Sequence, residues 1–206
     1  MPYTQCCVVG GGPAGMMAGL LLARAGVEVI VLEKRGDFLR DFRGDTVHPS
    51  TLRLLEELGL VPRRDFLDLV AGAAAAEPSF TLCMSTEFTG LTTESGRITG
   101  VEHRDRDGDL ETLSADLILA CDGRDSAART AAGLCHDLLA APMGRLPVCY
   151  TDGLLCLGDA AHAMPPAGGA GLDLAIQDAV AAARLLAEPL RAGTLCTADL
   201  AQVQRR

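Results

Sequence analysis

No tryptophan occurs in this 206-residue chain, and five Phe and two Tyr are its only other aromatic residues. Pockets around large organic molecules usually have aromatic walls, so the chain is poorly supplied for building one. Positive charge is also short: 18 Lys and Arg face 27 Asp and Glu, a net charge of −9. That balance argues against nucleic acid or an anionic membrane as partner, since either calls for a basic patch. No apolar run reaches membrane-spanning length, and "MPYTQCCVVGGG" lacks the basic start and cleavage site of a secretion signal. A cytoplasmic protein is expected. The eight cysteines, at 6, 7, 83, 121, 135, 149, 156 and 196, include no C-x-x-C pair and no histidine at zinc spacing. No metal site is expected, and the thiols within apolar stretches read as small buried hydrophobes.

Glycine, by contrast, is abundant and placed in patterns. "CCVVG" is a short apolar run that enters "GGGPAG", and "MMAGLLLARAG" continues to a terminal glycine. This reads as strand, tight turn and helix, with Gly26 at the C-cap. Gly10-x-Gly12-x-x-Gly15 therefore stands where a dinucleotide fingerprint must stand, between a strand and a helix. Gly10 permits the turn, Gly12 lets a pyrophosphate approach, and Gly15 allows close helix–strand packing. Pro13 occupies the first helical turn, where its missing N–H is not needed, and Ala14 keeps the turn small. The next apolar run, "VEVIVLE", ends at Glu33, the place of a ribose-binding acid, with Lys34 and Arg35 just beyond.

Helices are expected over "HPSTLRLLEELGL" and "VPRRDFLDLVAGAAAAEP", followed by a strand "FTLCM" and a three-stranded antiparallel meander to Ala115. "DLILACDG" reads as a separate buried strand that ends in Cys121, Asp122 and Gly123, and "RDSAARTAAGL" as a short helix. Residues 135–150 read as a connector. "GLLCLGD" is the last strand, ending at Gly158 and Asp159; a long helix follows over 169–188, and Thr197 caps a final one. The fold class is α/β, with a mostly parallel sheet, helices and the three-stranded antiparallel meander. His162 reads as a residue that packs and hydrogen-bonds its loop, since no partner for it is visible.

The ordered set "VVGGGPAG", "VLEKR", "RGDTVHPSTLRLLEELGL", "DLILACDGRDSAAR" and "GLLCLGDAAHAMPPAGGAGLDLAIQDA" resembles the FAD-dependent hydroxylases of the para-hydroxybenzoate hydroxylase group. The likeness covers nearly the whole chain and implies a Rossmann-like FAD-binding fold holding FAD non-covalently, with NAD(P)H as external reductant. By that resemblance Glu33 holds the adenosine ribose and Arg43 lies near the pyrophosphate. Asp122 and Gly123 support the middle of the cofactor, and Asp159 holds the ribityl chain. Pro166 stiffens the turn, while Gly168, Gly169, Ala170, Gly171 and Leu172 line the isoalloxazine, with Asp173 near its pyrimidine edge. Two positions depart from the family pattern: 173 is Asp where Asn is common, and 170 is Ala where a longer side chain is usual.

The larger departure is an omission. Between its second and third motifs the family builds a separate sheet that walls off the substrate, and residues 135–150 are too few for one. Residues 71–78 likewise pass over a second insertion. The chain is thus expected to be a single FAD-binding domain over 1–206, a natural truncation or an engineered minimal domain, with joints near 71–78 and 135–150. Its expected chemistry is residual NAD(P)H and oxygen redox activity. A working aromatic hydroxylase and an NAD-binding Rossmann oxidoreductase stand as alternatives. A sheet face uncovered by the missing segment is a candidate surface for a homodimer.

Overall fold

A computed structural model of the chain describes residues 2–38, 57, 66–134, 144–163 and 170–205. The expected helix around 48–60 lies outside the described residues, apart from Glu57.

The first two strands, β1 (Tyr3–Val9) and β2 (Val29–Glu33), pair in parallel, with Val9 opposite Leu32. β2 and the Cys6–Val9 part of β1 are nearly all apolar because the sheet is covered where they lie. Between them α1 (Pro13–Arg24) begins with Pro13 at its first turn, and almost its whole length is buried. Its C-cap is Ala25. Gly26 follows one residue later at φ +82°, so the left-handed glycine lies just past the cap rather than at it. Helix α2 (Phe66–Ala74) packs on α1 and leads directly into the edge strand β3 (Phe80–Met84), parallel to β2.

Next come β4 (Glu87–Glu94), β5 (Arg97–Arg104) and β6 (Leu110–Ala120). The sequence reads the end of the meander and "DLILA" as two strands, but β6 is one strand of eleven residues. Ser114 and Asp116 look like a break in the apolar pattern; in the structure they take the half-buried positions of a continuous alternation. Residues 100–104 of β5 pair antiparallel with the first half of β6, and β1 pairs parallel with the second.

Beyond β6 stand α3 (Ala127–Ala131), β7 (Gly144–Arg145), β8 (Tyr150–Thr151), β9 (Leu154–Cys156), β10 (His162–Ala163), α4 (Ala170–Ala192) and α5 (Thr197–Gln204). The described part of the expected connector is therefore ordered: β7 pairs with β10, and β8 forms a hairpin with β9. The cap of α5 is Cys196, not Thr197, and its N–H donates to the Asp199 carboxylate at 3.0 Å. Helix α4 runs past Pro189, where the sequence suggests a stop, because Leu186 and Leu190 on either side are both buried.

The eight-stranded sheet runs β3-β2-β1-β6-β5-β4, with β9 parallel to β6 and hairpinned to β8. Helix α1 packs against α2 and α4, and one hydrophobic core joins sheet and helices. This is a Rossmann-like α/β fold. Large apolar side chains exposed among the described residues are Tyr3, Leu110 and Val148. No helix among them is long and apolar enough to cross a membrane.

Candidate functional site

Parallel pairing puts three glycine-bearing turns on one edge. Val9 stands opposite Ala120, and Ala120 opposite Cys156, so β1, β6 and β9 end on a common rung. Backbone bonds continue across the ends: Gly10 N–H donates to Leu32 O at 2.8 Å, Cys121 N–H to Val9 O at 2.8 Å, and Leu157 N–H to Ala120 O at 3.0 Å. From β2 to β9 the row spans three strand spacings, roughly 14 Å. Because β1 leads to β2 on one side and lies beside β6 on the other, this edge is a topological switch point, where doubly wound folds bind ligands.

The first turn fits tightly against the second. Gly10 sits at φ +105°, and a Cβ there would come within 2.5 Å of the Cys121 carbonyl oxygen. The third turn closes on the first: a Cβ on Gly158, at φ +59°, would meet Ala14 Cβ at 3.0 Å. Glycine at both places lets three strand ends and one helix start share the edge. The N-cap of α1 is Gly12, which makes no side-chain cap, and no acid occupies the first turn. The N–H groups of Ala14 and Gly15 thus head an uncompensated helix N-terminus, suited to phosphate oxygens.

Carboxylates stand along the row. Glu33 is only 2% exposed; its Oε2 accepts the Gly11 N–H at 2.8 Å and its Oε1 the Arg35 N–H at 2.9 Å. Those bonds hold the carboxylate at the outer end of the edge. Lys34 and Arg35 are exposed. Asp122 faces the other way: Ser126 Oγ–H and Ala128 N–H donate to it at 2.5 and 3.1 Å, so it organises the start of α3. Gly123 follows at φ +91° with open space where a Cβ would be. Asp159 is half-buried in the 3-10 turn Gly158–Ala160. In the first turn of α4, Leu172 is buried, while Gly171 and Asp173 are half-buried and Ala170 starts the helix. Arg43, Pro166, Gly168 and Gly169 lie outside the described residues.

Two side chains that the motifs do not single out tie the turns together. The buried Arg129 guanidinium donates to Ala160 O at 2.9 Å and Arg124 O at 2.8 Å, linking the second turn to the third. Asp178 of α4 accepts the Gly158 N–H at 2.9 Å, and the same Oδ2 lies 2.6 Å from His162 Nε2. His162 thus has a partner that its sequence neighbourhood hides. The bond to Asp178 raises the imidazole pKa above its ordinary 6.5, and partial burial opposes that rise. The only sequence signal for Asp178 is a lone charge in the otherwise uncharged stretch "AIQDAV".

The buried thiols are held in their unreactive form. Burial pushes Cys6, Cys7, Cys121 and Cys156 up, so they stay protonated, and none of the seven described cysteines is in a disulfide. No group of three or more His, Cys, Asp or Glu among the described residues can hold a metal ion.

Residues 3–64, 60–138 and 147–198 match the family described as FAD binding domain. The chain is 24% identical to a 6-methylpretetramide 4-monooxygenase of Streptomyces rimosus over 320 aligned positions, covering 92% of this chain and 76% of that protein. It is 29% identical to a digeranylgeranylglycerophospholipid reductase of Methanocella arvoryzae over 62% of this chain, which spans 41% of the reductase. Among solved structures, an anhydrotetracycline hydroxylase of Streptomyces rimosus superposes with a TM-score of 0.84 at 19% identity, over 98% of this chain and 65% of that one.

Proposed function

The chain belongs to the FAD binding domain family, with FAD as its cofactor, and on that premise we propose that it is a flavin-holding module with at most residual NAD(P)H- and oxygen-linked redox activity. The observation that carries this reading is the common rung of Val9, Ala120 and Cys156, which sets three motif turns side by side. The uncapped start of α1 and the glycines 10, 12 and 15 would take the pyrophosphate, with Glu33 on the adenosine ribose and Lys34, Arg35 and Arg43 around it. Asp122 and Gly123 would support the middle. Gly158 and Asp159 would hold the ribityl chain, and Gly168 through Leu172 the flavin ring, with Asp173 near its pyrimidine edge. When bound, FAD accepts two electrons from NAD(P)H and can pass them to dioxygen. The chain's own part is to bind, orient and polarise: the positive end of α4 favours negative charge near residues 170–173.

The shortage of substrate wall supports a module rather than a complete hydroxylase. Only residues 124–149 separate the second motif from β8, and β7 and α3 already occupy part of them. The monooxygenase alignment runs to more positions than this chain has residues, so the relative carries extra sequence within the matched span. Likewise α2 and β3 are joined through 75–79 with no inserted element, and Ser79 Oγ donates to Ala23 O at 3.0 Å. On this reading 1–206 acts as one FAD-binding unit with joints near 71–78 and 135–150.

A working monooxygenase is the second reading, favoured by likeness to the monooxygenase over 92% of this chain. The purified protein is expected to be yellow and to release FAD on heating; a colourless preparation that takes up no FAD rules out the flavin module. NADPH consumption should be slow and indifferent to aromatic additives. An aromatic compound that both accelerates consumption and is itself hydroxylated establishes the second reading instead.

A further inference from the structure

We infer that Asp178 is a positioning residue for FAD: one carboxylate oxygen fixes the Gly158–Ala160 turn, and through it the direction of Asp159, to helix α4. The inference rests on the reading of Asp159 as a cofactor ligand. Gly158 is buried, and its left-handed backbone, φ +59°, turns away from the strand ladder of β9. Its N–H therefore needs an acceptor from elsewhere, and Asp178 Oδ2 supplies it at 2.9 Å. The same oxygen bonds His162 Nε2 at 2.6 Å, so two donors from the two ends of a five-residue segment converge on one atom. Asp159 lies between those ends.

His162 gives the clamp a fixed base. Its backbone pairs with Arg145 in the β7–β10 ladder, and its buried Nδ1 has no hydrogen-bond partner among the described residues. The bond to Asp178 is therefore what orients the ring. Asp178 itself stands eight residues into α4, about 12 Å along the axis from the helix start. One rigid helix thus carries both the residues that would face the flavin ring and the carboxylate that holds the ribityl-side turn. Their mutual geometry is set by helix rigidity rather than by the loop between them.

A double-mutant cycle on FAD affinity tests the clamp, with dissociation constants from fluorescence titration of apoprotein and thermal melts to check folding. D159A is expected to weaken FAD about tenfold, and D178A by a similar factor, as for loss of a hydrogen bond to a charged group. If Asp178 acts through Asp159, the double variant binds no more than about twofold worse than D159A alone. D178N keeps an oxygen acceptor for Gly158 N–H and should recover most of the affinity. A D178A protein that binds like the parent beside a weakened D159A overturns the inference alone, as do losses that multiply in the double variant. A D159A protein that binds like the parent overturns the reading of Asp159 and the clamp with it. Should D178A fail to fold, H162A takes its place in the cycle, with the same two outcomes.

Discussion

Strand β6 divides into two regions of different character. Its first half, Leu110–Ser114, pairs antiparallel with β5, and its two leading residues are exposed; its second half pairs parallel with β1 and is buried through Leu117–Ala120. Antiparallel pairing can leave one face in water, whereas parallel pairing here requires cover on both. The difference locates function. Only the parallel half ends on the glycine-rich edge; the antiparallel half leads back through hairpin turns into the meander.

The sharpest test of that contrast sets two left-handed glycines against each other. Gly10→Ala forces a methyl to 2.5 Å from the Cys121 carbonyl oxygen at φ +105°. The strain, of order 3 kcal/mol or more, should abolish stoichiometric FAD, read as the ratio of flavin to protein absorbance. The next effect concerns the outer carboxylate. Glu33→Ala removes the acceptor for both Gly11 and Arg35 amides, and about 2–3 kcal/mol of binding and stability together should go with it. Calorimetric FAD titration and a melting curve would show how the loss divides.

A third effect depends on pH. Because the folded pKa of His162 lies above 6.5, its ion pair with Asp178 contributes fully below pH 6.5 and is lost as pH rises through the folded value. The melting-temperature gap between parent and His162→Asn should therefore be widest near pH 6 and close towards alkaline pH. A gap that widens with pH would contradict the pairing. Smallest of all, Gly96→Ala at the β4–β5 turn meets nothing within 4 Å despite φ +85°. It should cost about 1 kcal/mol of stability and leave FAD affinity unchanged. If it weakens FAD as much as Gly10→Ala, the two regions are not functionally distinct.

The sequence reveals the parallel half more readily than the other. Unbroken apolar runs such as "VIVLE" and "LLC" leave no alternative to buried strands, and glycine spacing places the turns after them. The continuity of β6 is hidden because Ser114 and Asp116 mimic a turn signal, and only pairing with β1 and β5 at once reveals one strand. The choice of Cys196 over Thr197 as cap depends on Asp199 reaching back, a contact that residue type alone does not rank. The links through Arg129 and Asp178 are likewise contacts between distant elements, which no local pattern encodes. Periodicity reports which face a residue is on; it does not report what meets that face.

The shared rung of Val9, Ala120 and Cys156 also has a consequence in time. Its first two members are more than a hundred residues apart in the chain, and β9 joins the rung only through β6. Contacts of such separation add little to the thermodynamic cost of closing a loop but slow folding. The edge thus rests on pairings of the slow-forming kind. A cofactor that binds the completed edge secures the folded state by mass action, however slowly the edge forms.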